Sequence, residues 1–226
     1  MLKYREMTED DNAAVAKLIR KNLEKHKLDI PGTVYFDKGL DHLSDYYGVI
    51  EEELSHIEYQ DLLDCGCGTG PMISLLHEKD SSKHYVGLDL TPRMIEVAQN
   101  KNLEGTEWIV GDCENLPFEN ESFDVIICTN SFHHYPNPQS FFDSVKRVLR
   151  PGGRLALQDY TAPAPILWLM NHTEMPLANL IGHGDVGAYS LRQIREFCDN
   201  CGLSVEKLEA AKKFRMHLVA RKGREN

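Results

Sequence analysis

The chain reads as an α/β protein with a largely parallel sheet covered by helices on both faces. Three observations predict this. From residue 61 onward, short strand-like runs alternate with helical patterns, the order expected of a parallel sheet with crossover helices. One run, VIIC at 125–128, is apolar without alternation, as a strand buried from both sides must be. And DLLDCGCGTG, at 61–70, passes from an aliphatic strand straight into Gly66, Gly68 and Gly70 before a helical pattern begins.

The elements follow in order. Residues 8–27 and about 39–57 carry helical periodicity, and Pro31-Gly32 separates them, leaving 29–38 as a loop. A strand at 62–64 leads through the glycines to a helix at 72–78, then to a second strand at 85–90. Thr91-Pro92 reads as an N-cap followed by proline at the first helical position, opening a helix that runs to 101. Strands at 107–110 and 123–129 follow, then a helix at 141–149. Pro151-Gly152-Gly153 is expected to form the helix exit and a tight turn into a fifth strand at 154–159. Between 161 and 188 the apolar segments PAPILWLMN and MPLANLIGHGD extend no sheet. A helix at 189–202, with Ser190 as N-cap and Gly202 as stop, precedes two last strands at 203–210 and 214–221.

A chain of 226 residues buries a substantial single core, and 42% apolar with 27% charged residues is ordinary globular composition. The net charge of -10 argues against a nonspecific binder of nucleic-acid backbone, which needs Lys and Arg against phosphates; the basic stretch Lys212-Lys213-Phe214-Arg215 is short. The six cysteines give C-x-C at 65–67 and C-x-x-C at 198–201, with no second pair at zinc spacing. Reduced thiols, no metal site and a cytoplasmic location are therefore expected. Lys3, Arg5, Glu6 and Glu9 interrupt any secretory leader, and no run of 18 apolar residues offers a membrane span.

Glycine has no side chain and tolerates positive φ, so the turn at 66–70 lets a ligand approach the backbone, with the N–H groups of the next helix pointing at it. The spacing is G-x-G-x-G, and no Lys-Ser or Lys-Thr follows for a nucleoside triphosphate. Three carboxylates fall at successive strand ends: Asp64, Asp89 25 residues later, and Asp112. In an open parallel sheet the second lies within reach of a ribose diol.

DLLDCGCGTG, VGLDLTPRMIEVAQ, GDCENLPFENESFDVIICTNSFHHYPNP and LRPGGRLALQDY together resemble the class I S-adenosylmethionine-dependent methyltransferases, in the small-molecule branch that includes quinone-biosynthesis enzymes. The resemblance covers 61–160. It implies a three-layer Rossmann-like sandwich with a seven-stranded, mostly parallel sheet and an antiparallel last strand. It further implies one domain over 1–226, with 1–58 as an N-terminal helical cap and 161–188 as a substrate-side insertion. By the same resemblance S-adenosylmethionine binds, leaving S-adenosylhomocysteine as product. Backbone groups at Gly66, Cys67 and Gly68 would hold the methionyl part, and Asp64 its ammonium. Asp89 would take both ribose hydroxyls, Leu90 and Met94 would flank the adenine, Asp112 would accept from its amine, and Cys113 would offer a backbone N–H. Asn130 would lie near the sulfonium, and Tyr35 would fold over the site.

Once methyl donor and acceptor are aligned, an acceptor OH or NH still needs a base. His133 and His134, directly after the fourth strand, are the candidates; the alternative is that one of them only braces the loop. The acceptor pocket is expected between Tyr35, the His133-His134 loop and 168–175, with Trp168 itself read as a core residue and Tyr46 and Tyr47 as either core or site. The fourth strand runs into Asn130-Ser131-Phe132-His133 and lacks an NPPY-like sequence, so a small-molecule acceptor is expected instead of a nucleobase. A protein methyltransferase and a catalytically silent S-adenosylmethionine-binding protein are the other readings.

Overall fold

The computed structural model describes residues 17, 21, 43–174, 186–211 and 214–224. Helix α1 (Leu43–Ser55) precedes β1 (Asp61–Cys65), α2 (Pro71–Lys79), β2 (His84–Asp89), α3 (Pro92–Gln99), β3 (Thr106–Val110) and β4 (Phe123–Thr129). Then come α4 (Pro138–Val148), β5 (Leu149–Tyr160), α5 (Ala164–Leu169), α6 (Leu191–Cys201), β6 (Leu203–Ala211) and β7 (Arg215–Lys222). The expected helix at 8–27 and the loop at 29–38 fall outside the described residues, apart from 17 and 21, which are helical.

The seven strands are ordered β3-β2-β1-β4-β5-β7-β6. All are parallel except β7, which runs antiparallel between β5 and β6. The sheet is the expected one, with the strand order switching direction between β1 and β4, where ligands of open α/β sheets bind. Side-chain alternation sorts the core into two layers. Leu63, Leu88, Ile126, Cys128 and Leu157 face Phe141, Phe142 and Val145 of α4 and Ile194 of α6. Leu62, Tyr85, Val125, Ile127 and Ala156 face Ile50 and Leu54 of α1 and Met72, Ile73 and Leu76 of α2.

Several local expectations hold to the residue. Ser190 caps α6 in a reciprocal capping box with Gln193, and Gly202 ends that helix in the left-handed conformation. Thr91 stands at the N-cap of α3 with Pro92 at the first helical position, but its side chain makes no cap bond; the Asp89 carboxylate accepts from its backbone N–H instead, at 2.8 Å. Two expectations need correction. Pro151-Gly152-Gly153 is not a turn before the fifth strand but lies inside β5, which starts directly at the end of α4. Phe123 pairs with Leu149 and Val125 already with Arg154, so these residues bulge out of the ladder, where proline has no N–H to donate and Gly152 takes φ 85°. Trp168 is not a core residue: it is 61% exposed and stacks on His172 at 4.6 Å.

Candidate functional site

The glycine turn leaves β1 at the switch point, with Gly66, Gly68 and Gly70 all at positive φ. The first two have different surroundings. A Cβ on Gly66 would stand 1.8 Å from Ser131 Oγ, so this glycine exists for the close approach of the β4 loop. A Cβ on Gly68 would meet nothing within 4 Å, so its absence keeps open the space above the turn. Trp108 of β3 fills the space beside Gly70 and Gly87. Lys101 ties the start of α2, donating to the Gly70 carbonyl at 3.0 Å and the Ser74 hydroxyl at 2.8 Å, and burial lowers its pKa to about 8.

The turn's donors are engaged internally. The N–H groups of Gly66 and Cys67 both donate to the Leu88 carbonyl, at 2.8 and 3.0 Å, and that of Gly68 to Asp89 Oδ2 at 2.9 Å. Folding the turn against the end of β2 uses these three amides. What faces the turn is negative. Asp64 is 3% exposed and has no hydrogen-bond partner among the described residues. Burial, and then the neighbouring Asp89, raise its pKa to about 7. A carboxylate in that state calls for a cation, as the ammonium of S-adenosylmethionine would supply.

Asp89 holds Gly68 and Thr91 through one oxygen each, which leaves carboxylate lone pairs for a diol. Beside it Leu90 is 71% exposed at the edge, an apolar wall for a flat ring, whereas Met94 of α3 is buried. Asp112 is exposed, caps the short turn Cys113–Asn115 by accepting from Glu114 N–H at 2.9 Å, and Cys113 is buried beside it. Cys67 and Cys113 therefore contribute backbone, since their thiols are buried and the Cys67 thiol lies under the turn beside Gly87. All six cysteines are unpaired, and no cluster of metal-ligating side chains occurs among the described residues.

The β4 loop is tightly built. Asn130 takes a positive φ of 53°, donates its N–H to the Gln158 carbonyl and accepts from Arg215 at its side-chain oxygen. His133 Nδ1 meets Asp159 Oδ1 at 2.8 Å, and Asp159, 1% exposed, also accepts from the His133 and Tyr160 backbone N–H groups. Burial raises the Asp159 carboxyl, but the His133 ring, the Tyr160 amide and Arg215 outweigh it and leave the pKa below the usual range. Arg215 stacks on the Tyr160 ring at 4.2 Å. His134 is half-buried, its ring 4.0 Å from that of His133. Of the two histidines, His133 is thus the braced one.

The insertion reaches this loop. Val186 and Gly187 N–H groups both donate to the His133 carbonyl, and Leu167, Met170 and Ala188 pack with Tyr160, whose ring stands edge-on to His133. Ile166, Trp168 and Leu169 of the same helix stay exposed, as do Val186 and Phe214. Tyr35 and Met175 lie outside the described residues, as do the side chains of Tyr46 and Tyr47. Sequence reasoning missed Asp159 and Arg215, although Asp159 is a further carboxylate at a strand end, the signal that marked the other three. Trp108 and Lys101 gave no such signal.

The fold is similar to that of solved S-adenosylmethionine-dependent methyltransferases. A family profile described as a methyltransferase domain matches residues 63–157. Among curated relatives, the phthiotriol/phenolphthiotriol dimycocerosates methyltransferase of Mycobacterium leprae is 46% identical over 99 residues, 43% of this chain and 37% of that protein. Methyltransferase 1 of the same description from Mycobacterium ulcerans is 37% identical over 139 residues, 60% of this chain and 50% of that protein. The fatty-acid O-methyltransferase of Mycolicibacterium smegmatis is 36% identical over 104 residues, 46% and 38% of the two chains. The chain thus spans about half or less of the length of these relatives. In fold, it is similar to an S-adenosylmethionine-dependent methyltransferase from Aquifex aeolicus, at TM-score 0.61 and 18% identity over 96% of this chain and 99% of the other. No helix among the described residues is long and apolar enough to cross a membrane.

Proposed function

We propose that this chain transfers a methyl group from S-adenosylmethionine to a small-molecule acceptor with a large apolar part. The observation that carries the reading is the group Asp64, Asp89 and Asp112 around an open glycine turn at the switch point of the sheet. S-adenosylmethionine, when bound, supplies a methyl already activated on a sulfonium. Asp64 would hold its ammonium, Asp89 the ribose hydroxyls, Leu90 one side of the adenine, Asp112 and the Cys113 backbone its rim, and Asn130 would border the sulfonium. On this reading residues 1–226 act as one domain, with 1–58 as cap and Tyr35 closing over the site.

The acceptor would enter beside 161–188, where apolar side chains of α5 and Phe214 flank the carboxyl end of β5 and the start of β7. Lipid acceptors named for the mycobacterial relatives agree with such a lining. His134 would take the acceptor's proton, while His133, locked by Asp159, holds the loop in place. Six unpaired thiols suit a reducing, cytoplasmic location.

The deciding assay offers metabolite and lipid libraries and reads S-adenosylhomocysteine release. Turnover of a small molecule is expected, and turnover of protein extracts alone would overturn the reading. His134→Asn should lose turnover more than tenfold with cofactor affinity kept; unchanged turnover would remove His134 as base. Asp89→Ala takes away an acceptor used by the turn and by the ribose, and should weaken cofactor binding by about 1–3 kcal/mol in calorimetry. Parental affinity in that variant would make Asp89 structural only.

A further inference from the structure

The helix that follows β5 has no polar side. Every side chain of α5, APILWL, is apolar, and Met170 continues the run. A helix at a protein surface ordinarily turns apolar residues inward and polar ones to water. Here Leu167 packs inward, with Tyr160, Ala162, Met170 and Ala188. Ile166, Trp168 and Leu169 are left exposed. The Trp168 ring is held there by its stack on His172, whose Nδ1 lies 2.7 Å from the Trp168 carbonyl oxygen.

A second element brings an apolar side chain to the same end of the sheet. Phe214 stands in the link between β6 and β7, and its carbonyl accepts from the Thr161 N–H at 2.8 Å, just ahead of α5. Its φ of 57° strains a bulky residue, where Gly or Asn would be at ease. The ring is 54% exposed, so packing within the chain does not repay that strain. Val186 is exposed as well, on the segment whose N–H groups reach the His133 carbonyl. Five of the seven exposed large apolar residues among those described therefore gather around the carboxyl end of β5, while Leu90 and Val110 lie beside β2 and β3 on the other half of the sheet. Such a gathering marks a surface that something apolar covers.

Charge identifies what covers it. The chain is 27% charged with a net charge of -10, yet 160–184 holds a single charged residue, Glu174. The carboxylates that abound elsewhere, and that anionic headgroups would repel, are missing from this stretch. Lys212 and Lys213 directly precede Phe214 in sequence. These residue types match the layers of a lipid surface. Ile166, Leu169 and Phe214 suit the acyl boundary, an indole suits the interface, and lysines suit anionic headgroups.

We propose that α5, Val186 and the Lys212-Lys213-Phe214 link dock on the surface of a lipid bilayer that carries anionic headgroups. The contact is peripheral and uses no spanning helix. It stands independently of the methyl-transfer reading. Where both hold, an apolar acceptor entering beside 161–188 passes from bilayer to site without crossing water.

The test mixes the full chain with vesicles of phosphatidylcholine, with and without phosphatidylglycerol, and reads co-sedimentation and tryptophan emission. The chain has two tryptophans, and Trp108 is packed beside Gly70 and Gly87, so a blue shift on binding reports Trp168. The parent should bind the phosphatidylglycerol vesicles with that shift. Phe214→Asn should weaken binding roughly tenfold, with a melting temperature equal to the parent's or higher, because Asn accepts the left-handed backbone. Lys212→Gln combined with Lys213→Gln should weaken it roughly 10- to 30-fold and leave little difference between the two vesicle types. Val110→Thr, on the other half of the sheet, should change nothing. A parent that stays in the supernatant with both vesicle types overturns the proposal, and so does binding undiminished in both Phe214→Asn and the lysine variant. Self-association of the parent without vesicle binding, abolished by Phe214→Asn, also overturns it, because a second copy then covers the face.

Discussion

Gly66→Ala is expected to cost the fold several kcal/mol, whereas Gly68→Ala, two residues on, should spare the fold and damage cofactor binding. At Gly66 the added methyl would stand 1.8 Å from Ser131 Oγ and 2.4 Å from its Cβ. Ser131 cannot give way easily, because its hydroxyl is bonded to Tyr135 OH at 2.6 Å and both residues are buried. Overpacking of this kind costs about 1–3 kcal/mol, and an alanine at positive φ adds roughly 1–2 kcal/mol. At roughly 2–4 °C per kcal/mol for a chain of this size, the melting temperature should fall by about 5–15 °C. Gly68→Ala has only the backbone term, since nothing lies within 4 Å of its Cβ. Its methyl would occupy the space above the turn, so the affinity for S-adenosylhomocysteine should drop more than tenfold with a melting temperature within a few degrees of the parent. Scanning calorimetry and titration on the two variants check both halves. Equal cofactor affinity in Gly68→Ala and parent would show that the ligand does not lie on the turn.

The second large effect is a pH dependence of cofactor binding set by Asp64. Its carboxyl is shifted from 3.8 to about 7 by burial first and by Asp89 second. If the ionised form receives the cofactor's ammonium, binding below pH 7 must first remove a proton, so affinity should fall close to tenfold per pH unit from 7 downward and level off above about 8. Near pH 7 binding should release a fraction of a proton, measurable as a dependence of the calorimetric heat on the buffer's ionisation enthalpy. Without ligand the sign for the fold is the opposite. Between pH 4 and 7 the folded carboxyl keeps a proton that the unfolded chain has lost, so this group's contribution to stability declines as pH rises through that window. Asp64→Asn should flatten both profiles, weaken binding at pH 8 and stabilise the unliganded protein there. A parent Kd that is flat from pH 6 to 8 would exclude Asp64 as the ammonium's partner.

Much of this fold could be read from local signals. Ser190, Gly202 and Pro92 act through their own backbone and neighbours, so their roles follow from sequence positions alone. The apolar run at 125–128 foretold a central strand because burial on both faces leaves no room for alternation. The bulge at Pro151–Gly153 was read as a turn, since proline and glycines punctuate a turn and a kinked strand alike, and only pairing with β4 distinguishes the two. Trp168 was misplaced for a similar reason: the run from Ala162 to Met170 is apolar throughout, so periodicity cannot say which side faces inward. Within the site, strand-end carboxylates were recognisable because the sheet brings strand ends together. The pairing of His133 with Asp159, and of Asn130 with Arg215, depends on β5 and β7 meeting the β4 loop across 26 and 85 residues of sequence, and no local pattern encodes such a meeting.

The strand order also sets a timetable for synthesis. β6 is made before β7, yet among the described residues it pairs with β7 alone, and β7 joins β5 only by inserting between the two. While the ribosome is still translating residues 215–222, the half of the sheet carrying β1 to β5 can assemble, but β6 lacks its native partner and β5 leaves its edge uncovered. Nascent protein therefore passes through an interval with an open strand edge, the condition under which chains pair with one another instead of with themselves. Completion of β7 ends that interval, and in the same movement delivers Arg215 to Asn130.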